Sequence, residues 1–347
     1  MFRILDRKIG LSHKPFIVAE ISGNHKQSLS RVLKMIKVAK NAGADAVKIQ
    51  TYTPDTMTLN ITSQKFKIKE KKSLWFGENY YSLFNKAHTR WSWHKKIFET
   101  AKKNKIICFS TPFDETSLKF LEKFDMPAYK IASYENNDFQ FIEKVAKTKK
   151  PLIISTGMSD LKHIKEIVSL VKKQKCKNFM LLKCTSSYPA SPKDLNIKTI
   201  YDMRKKFKCE IGLSDHTLGI GASIAAISNG ATLIEKHFTL NHNDGAVDSK
   251  FSLNPNELKN LTKESQIAWQ SLGKISYKIL KCENPKEKRS IFVIKKILKG
   301  QTFTNNNLKS LRPFLGLNSK NLKQVIGKKS KFNLLPGTPL KVFHFKK

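Results

Sequence analysis

The sequence predicts an α/β protein in which a (β/α)₈ barrel, or TIM barrel, is followed by a small β-rich domain. Three observations predict this fold class: eight short apolar segments recur along the first 272 residues, amphipathic helical patterns separate them, and the character of the chain changes beyond residue 288. Nearly continuous apolar runs are typical of parallel strands that are buried on both faces. Eight strand–helix units ending near residue 272 match the size of such a barrel.

The predicted strands are 16–20, 46–50, 106–110, 128–131, 151–155, 179–184, 210–213 and 232–236. The predicted helices are 28–42, 92–104, 114–124, 159–173, 196–207, 218–229 and 255–271. One apolar face of the first helix is marked by Leu29, Val32, Leu33, Ile36 and Ala39. A doubly wound sheet is the alternative, but no GxGxxG sequence follows the first strand.

The domain boundaries follow from composition. Residues 1–272 form the predicted barrel, 273–288 a polar linker rich in Lys and Glu, and 289–347 the second domain. Within the second domain, ILKGQTFT (297–304) and LLPGTPL (334–340) each place a Gly turn after apolar residues, which predicts β-hairpin-like turns. The long segment 52–91 is expected to be an insertion over the barrel mouth, where aromatics such as Trp75 serve either packing or substrate contact.

The net charge of +38, from 65 basic and 27 acidic side chains, raises the possibility of a nucleic-acid-binding protein. However, the lysines are spread over the whole chain, without a basic tail, zinc-finger spacing or an aromatic-basic signature, so small anionic substrates are the preferred partners. Five cysteines without a CxxC motif predict reduced thiols, and Cys108 and Cys184 are expected to be buried fillers. The absence of a signal-peptide pattern and of a long apolar run predicts a cytoplasmic protein that makes no membrane contact.

Side chains at the carboxyl ends of barrel strands meet at the active-site face. The sequence places a dense set of lysines and hydroxyls there, and Lys48 and Lys130 lie inside apolar strands. A buried lysine is costly unless an anion meets it. A phosphate-bearing ligand or an ion pair inside the barrel satisfies this requirement. A Schiff-base lysine is a third interpretation, but it needs neither two lysines nor a ring of hydroxyls.

Two histidines, His216 and His237, end adjacent predicted strands. Two neutral imidazoles with open positions can hold a divalent metal that acts as a Lewis acid. A strand-end histidine also commonly serves as a hydrogen-bonding residue, so spacing alone leaves both interpretations open.

Eight strings in order resemble the N-acetylneuraminate synthase family. They are AEISGNH (19–25), AGADAVKIQTY (42–52), STPFDE (110–115), YKIASYE (129–135), ISTGM (154–158), LLKCTSSYP (181–189), GLSDHT (212–217) and EKHFTL (235–240). The tail segments LRPFLGL (311–317) and LLPGTPL resemble that family's C-terminal antifreeze-like (SAF) domain. The resemblance implies condensation of phosphoenolpyruvate with an amino sugar, without a redox cofactor.

Within the family, four stretches look like the pseudaminic acid branch: TYTPDTMTL (51–59), KCTSSYPASP (183–192), SDHTLGIG (214–221) and DGAVDSKFS (244–252). Sialic acid and legionaminic acid formation are the alternatives within the same chemistry. A basic nucleic-acid-binding protein on an inactive barrel is the alternative from another class.

The resemblance also implies roles for matching positions. Mn²⁺ or Mg²⁺ would lie between His216 and His237. The residues expected to hold phosphoenolpyruvate are Lys48, Lys130, Thr111, Ser133, Ser155 and Ser214. The residues expected to meet the sugar are Gln50, Glu135, Tyr188 and Asp248, and Glu20 or Glu135 would serve as acid or base. Arg312, in LRP, would reach the sugar from a partner subunit, which implies a domain-swapped homodimer. Relatives commonly carry a Gly soon after that Pro, where this chain has PFLG.

Overall fold

A computed structural model describes residues 2–345 of the chain. The chain divides into two compact units, Met1–Gly273 and Lys274–Lys347. Each unit has its own apolar core. No helix within residues 2–345 is long and apolar enough to cross a membrane.

The first unit contains a short antiparallel hairpin followed by a closed parallel barrel. The hairpin strands are β1 (Phe2–Ile4) and β2 (Arg7–Ile9). The barrel strands are β3 (Phe16–Glu20), β4 (Ala46–Thr51), β5 (Ile107–Pro112), β6 (Tyr129–Ile131), β7 (Leu152–Ser155), β8 (Phe179–Cys184), β9 (Glu210–Asp215) and β10 (Leu233–His237). They follow one another in chain order around the barrel, and β10 closes it by pairing with both β9 and β3. This arrangement confirms the predicted fold class.

Helices cover the barrel and occupy the insertion after β4. They are α1 (Leu29–Asn41), α2 (Pro54–Met57), α3 (Tyr80–Ala87), α4 (His94–Lys103), α5 (Glu115–Leu121), α6 (Phe139–Lys147), α7 (Leu161–Lys173), α8 (Thr199–Phe207), α9 (Gly221–Ser228) and α10 (Pro255–Leu272). Helix α1 begins where the Ser28 side chain accepts a hydrogen bond from the Arg31 amide, and it buries Val32 and Ile36 against the sheet.

Among the elements that the sequence did not predict are the hairpin β1–β2 and helix α6. Helix α6 begins after Asp138, whose side chain accepts a hydrogen bond from the Phe141 amide, and it buries Phe141, Ile142 and Val145. It is only nine residues long and follows a three-residue strand. Its buried residues nevertheless recur at helical spacing, and the equally short or shorter helices α5, α8 and α9 were predicted, so the sequence carried a signal for α6 as well.

Within residues 274–345, the second unit contains the antiparallel strands β11 (Ser290–Val293) and β12 (Leu308–Leu311) and a short α-helix, α11 (Leu322–Val325). The two similar segments, 297–304 and 334–340, pair with each other in this unit through an antiparallel bridge between Ile297 and Leu334. The core of this unit consists of Ile291, Val293, Ile297, Phe303, Leu308, Val325, Leu334 and Leu340. The predicted linker, residues 273–288, is exposed throughout.

Candidate active site

The interior of the barrel carries a cluster of four charged side chains: Glu20, Lys48, Lys130 and Glu235, all buried. Successive side chains of a strand point to opposite faces, so only alternate residues reach the interior. Lys130 on β6 forms an ion pair of 3.0 Å with Glu235 on β10. These two strands are not neighbours, so the pair crosses the inside of the barrel.

Ion pairs and hydrogen bonds connect this cluster. Lys48 pairs with Glu20, its Nζ lies 3.8 Å from Glu235 Oε1, and it donates a 3.0 Å hydrogen bond to Thr111 Oγ1. Ser214 Oγ donates to the same Glu235 oxygen over 3.3 Å. The two lysines predicted for anion binding therefore lie together, and in this structure carboxylates of the barrel interior balance their charges. The ion-pair interpretation and the anion-site interpretation thus apply to the same residues.

Burial and charge act in opposite directions on this cluster. Burial favours the neutral amine of Lys48, but the carboxylates of Glu20 and Glu235 outweigh burial and raise the pKa of Lys48 above its ordinary value. Burial lowers the pKa of Lys130. Burial also raises the pKa of Glu20, whereas Lys130 and Lys48 outweigh the burial of Glu235 and lower its pKa. Glu20 is consequently the carboxyl group in the cluster that most readily takes a proton.

Glu235 is a site residue that the sequence reasoning missed. The available signal was an acid within the apolar strand TLIEK, two residues before the predicted histidine His237. Its Oε2 atom is buried without a hydrogen-bond partner among the described residues. The Glu20 Oε2 atom, apart from its ion pair with Lys48, likewise has no hydrogen-bond partner there.

Two of the hydroxyl groups singled out in the sequence contact the cluster: Thr111 accepts a hydrogen bond from Lys48, and Ser214 donates one to Glu235. Thr111, Ser133, Ser155 and Ser214 are all buried. Within the described chain, Ser155 Oγ finds no hydrogen-bond partner, so its hydrogen-bonding capacity is available to a ligand. Ser133 Oγ accepts a 3.1 Å hydrogen bond from the Gly157 amide. A Cβ atom at Gly157 would contact Ser186 Oγ and would lie 2.6 Å from Ser133 Oγ, so a side chain at this position would displace these hydroxyls.

The two predicted histidines lie side by side, with ring centroids 5.4 Å apart. His216 Nδ1 donates a 2.9 Å hydrogen bond to the Thr185 carbonyl oxygen, which orients the ring and leaves Nε2 for another partner. His237 Nδ1 has no hydrogen-bond partner within residues 2–345 and lies 3.8 Å from Asp248 Oδ2. Burial, together with the nearby positive groups, holds the pKa of His237 well below its ordinary value, so this imidazole is neutral.

His216 and His237 each offer an imidazole nitrogen to a divalent metal; burial opposes protonation of His216, but Cys184 outweighs burial and raises the pKa of His216. A buried, neutral imidazole without a hydrogen-bond partner is a metal ligand in the correct protonation state. Across the described part of the chain, no group of three or more His, Cys, Asp or Glu side chains is arranged to hold a metal. Protein atoms would therefore supply two ligands, and water or substrate oxygen the remainder.

An aromatic wall adjoins the histidines. The ring centroid of Tyr188 lies 4.4 Å from His216, and Phe251 lies 4.9 Å from His237. Trp75, from the insertion, lies 5.9 Å from Tyr188, and its indole N–H donates to the Val247 carbonyl oxygen over 3.1 Å. Trp75 therefore belongs to the rim of the site.

The remaining predicted residues of the first unit also lie at this end of the barrel. Gln50 is the register partner of Thr111. The Asp248 carboxylate accepts a 3.1 Å hydrogen bond from the Gly23 amide, and burial raises its pKa. Burial raises the pKa of Glu135 to about 7, and its Oε2 atom has no partner in the described chain.

Arg312 belongs to the second unit, where it is exposed directly after β12.

Strand alternation turns some strand-end residues away from the site. Asp215 and Lys236 pair with each other over 3.0 Å outside the ring of inward residues.

Cys184 is buried, as expected, but it is not a simple filler: its Sγ lies 4.0 Å from His216 Nδ1. Burial opposes ionisation of this thiol, but His216 and other donors lower the pKa of Cys184 to about 7. All five cysteines are free.

Comparison with known proteins relates this geometry to characterised sequences. The model of the NeuB family matches residues 35–277. The chain is 44% identical to pseudaminic acid synthase of Campylobacter jejuni over 332 residues, covering 94% of this chain and 96% of that protein. It is 41% identical to pseudaminic acid synthase of Helicobacter pylori, covering 94% and 96% of the two chains.

Similarity to other members is lower. The chain is 34% identical to N,N'-diacetyllegionaminic acid synthase of Campylobacter jejuni, covering 91% and 95% of the two chains. Among solved structures, it resembles an N-acetylneuraminic acid synthetase of Leptospira borgpetersenii with a TM-score of 0.71 and 31% identity, covering 80% of this chain and 91% of that one.

Proposed function

The chain belongs to the NeuB family, and from this premise we propose that it condenses phosphoenolpyruvate with 2,4-diacetamido-2,4,6-trideoxy-L-altrose and water to give pseudaminic acid and phosphate. The observation that carries the proposal is identity of 41–44% to pseudaminic acid synthases over nearly the whole chain. Identity to the legionaminic acid enzyme is lower, at 34%. The cluster of lysines and hydroxyls inside the barrel supplies the chemistry that this reaction needs.

Phosphoenolpyruvate carries a phosphate and a carboxylate, and both lysines and hydroxyls suit these groups. Lys48 and Lys130 provide positive charge, and hydroxyl groups provide neutral hydrogen bonds. The hydroxyls are those of Thr111, Ser133, Ser155 and Ser214. Arrival of the anion releases Lys48 and Lys130 from part of their pairing with Glu20 and Glu235. Because the ammonium groups are already desolvated, they need little reorganisation when the substrate binds.

His216 and His237 would hold Mn²⁺ or Mg²⁺. A divalent metal there supplies Lewis-acid polarisation of the sugar aldehyde. The protein residues hold the reactants around that point. Gln50, Tyr188 and Asp248 orient the open-chain sugar so that its aldehyde carbon faces C3 of phosphoenolpyruvate.

Bond formation proceeds from C3 of phosphoenolpyruvate to the aldehyde carbon, and the new hydroxyl oxygen takes up a proton. Water then adds at C2, and the tetrahedral carbon expels phosphate. Glu20 and Glu135, whose pKa values are both raised, are the groups that hold or release the protons of these steps. Glu135 is the better matched of the two to neutral pH, because its pKa is about 7.

We propose that the second unit, which contains the antiparallel strands β11 and β12, is an SAF-like domain. Arg312 then contacts the N-acetyl group of the sugar that is bound to a partner subunit, and the protein functions as a domain-swapped homodimer in the cytoplasm. The exposed position of Arg312 after β12 supports this role, because its guanidinium is accessible to another chain.

The experiment is phosphate release from phosphoenolpyruvate with Mn²⁺ and one sugar at a time. The sugars are the diacetamido-trideoxy-altrose, the diacetamido-trideoxy-mannose isomer and N-acetylmannosamine. Release that is fastest with the altrose supports the proposal, and release that is fastest with another sugar assigns the chain to a different branch. The control is the His216→Ala variant, which should release no phosphate with any of the sugars. No release with any sugar, together with salt-sensitive RNA binding that His216→Ala leaves unchanged, would favour the nucleic-acid-binding alternative.

A further inference from the structure

An ion pair behind the histidines has no part in the reaction proposed above. Asp215 ends β9 and Lys236 lies in β10, and the two are register partners in the sheet. Their side chains are 0% exposed, and Lys236 Nζ lies 3.0 Å from Asp215 Oδ2. Because neighbouring side chains point to opposite faces, this pair lies outside the barrel interior while the next residue on each strand points inward.

The next residues are His216 and His237. The order of side chains is the same along both chain segments. Ser214, Asp215 and His216 face in, out and in, respectively. Glu235, Lys236 and His237 do the same. A shift of one residue between β9 and β10 would turn one histidine away from the other. The outward ion pair joins the two strands at the positions directly before both histidines.

Further hydrogen bonds fix the pair to the loop that follows β9. Lys236 Nζ donates to the Thr217 carbonyl oxygen over 2.6 Å. Asp215 Oδ1 accepts from the Thr217 amide and the Thr217 hydroxyl, each over 2.8 Å. Ser223 of α9 donates to Asp215 Oδ2 over 2.6 Å. Residues 215 and 217 are thereby held on both sides of His216.

We infer that Asp215 and Lys236 are positioning residues that hold His216 and His237 at the spacing required to bind one divalent cation. The inference rests on the metal-binding part of the proposed function. Buried ion pairs contribute little net stability compared with apolar residues of similar volume. Here the Asp215–Lys236 pair fixes the positions of the two histidines. Removal of one charge of the pair increases the distance between their imidazole rings.

The same strand offers a matched control. At the opposite end of β9, Glu210 pairs with Arg204 over 2.8 Å and accepts a 3.2 Å hydrogen bond from Thr232. That pair also joins β9 to its surroundings, but it lies at the end of β9 remote from both histidines. Asp215→Asn and Glu210→Gln each replace a carboxylate of β9 by an amide of the same size.

The test measures Mn²⁺ affinity of the full chain by electron paramagnetic resonance of the free ion, with folding verified by circular dichroism. Asp215→Asn should weaken binding by about 10- to 100-fold, the range found for residues that orient metal ligands. Glu210→Gln should stay within about twofold of wild type, because it disturbs only the far end of the strand. A milder variant, Ser223→Ala, removes one hydrogen bond to Asp215 and should weaken binding by about threefold, a loss of roughly one net hydrogen bond.

Unchanged affinity in Asp215→Asn, or an equal loss in Glu210→Gln, would overturn the inference. If Asp215→Asn fails to fold, Ser223→Ala decides, and wild-type affinity in that variant overturns it. Absence of Mn²⁺ binding by the wild-type chain would overturn the inference together with the proposed metal site. Phosphate release by the same preparation would show separately whether the synthase reaction stands.

Discussion

Glu135 provides a direct link between the site and the stability of the fold. Burial raises the pKa of this carboxyl group to about 7 from an ordinary value of 4.5. Between these two values, folded Glu135 is protonated and unfolded Glu135 is ionised. The folded state therefore binds more protons, and stability falls as pH rises through this window. Glu135→Gln removes the titration and should remove this part of the pH dependence.

The magnitude follows from the pKa difference. Each pKa unit corresponds to about 1.4 kcal/mol, so ionising Glu135 in place costs up to about 3 kcal/mol. The cost is fully present above about pH 7 and absent below about pH 4.5. The free energy of unfolding of the wild type should thus fall by up to about 3 kcal/mol relative to Glu135→Gln across that range.

The assay is urea unfolding of the metal-free protein at several pH values between about 5 and about 8, with wild type and variant measured in parallel. Groups that titrate in both proteins cancel in the difference. An independent readout is the pH profile of kcat/KM, where wild type should show a limb near pH 7 that Glu135→Gln lacks. A rising limb would assign Glu135 as a base, and a falling limb as an acid.

A stability difference between the two proteins that stays constant from about pH 5 to about pH 8 would refute this reasoning. It would mean that water reaches the Glu135 carboxylate freely. The unpartnered, buried Oε2 atom argues against such access, because an ionised oxygen there has no hydrogen bond to replace hydration.

Three further predictions concern the remaining parts of the site. Glu235→Gln should lower the free energy of unfolding by about 3 kcal/mol, because Lys48 and Lys130 lose a shared carboxylate; added phosphate should recover part of the loss, and equal melting temperatures of variant and wild type would contradict this. Gly157→Ala should raise the KM for phosphoenolpyruvate at least tenfold, because its methyl group displaces Ser133; an unchanged KM in steady-state kinetics would argue against that hydroxyl as a ligand. Mixing Arg312→Ala with His237→Ala subunits should restore part of the activity, and confirmed heterodimers without recovery would exclude action of Arg312 in trans.

The strands were predictable because parallel strands buried on both faces consist of continuous apolar residues. All eight predicted segments overlap the strands of the barrel. The lysines and histidines were recognisable for the same reason, since a charged or polar residue in or directly after such a segment needs a partner. Helix α6 was not predicted, although Phe141, Ile142 and Val145 recur there at helical spacing.

What the sequence by itself determined is the fold class, the family and the set of polar side chains at the carboxyl ends of the strands. Only the tertiary structure decided which of these face each other. Lys130 and Glu235 are 105 positions apart and meet across the barrel, whereas Asp215 and Lys236 turn outward and pair behind the histidines. The physical reason is that a strand fixes only the alternation of its side chains, while closure of the barrel and the register between strands fix which face becomes the interior.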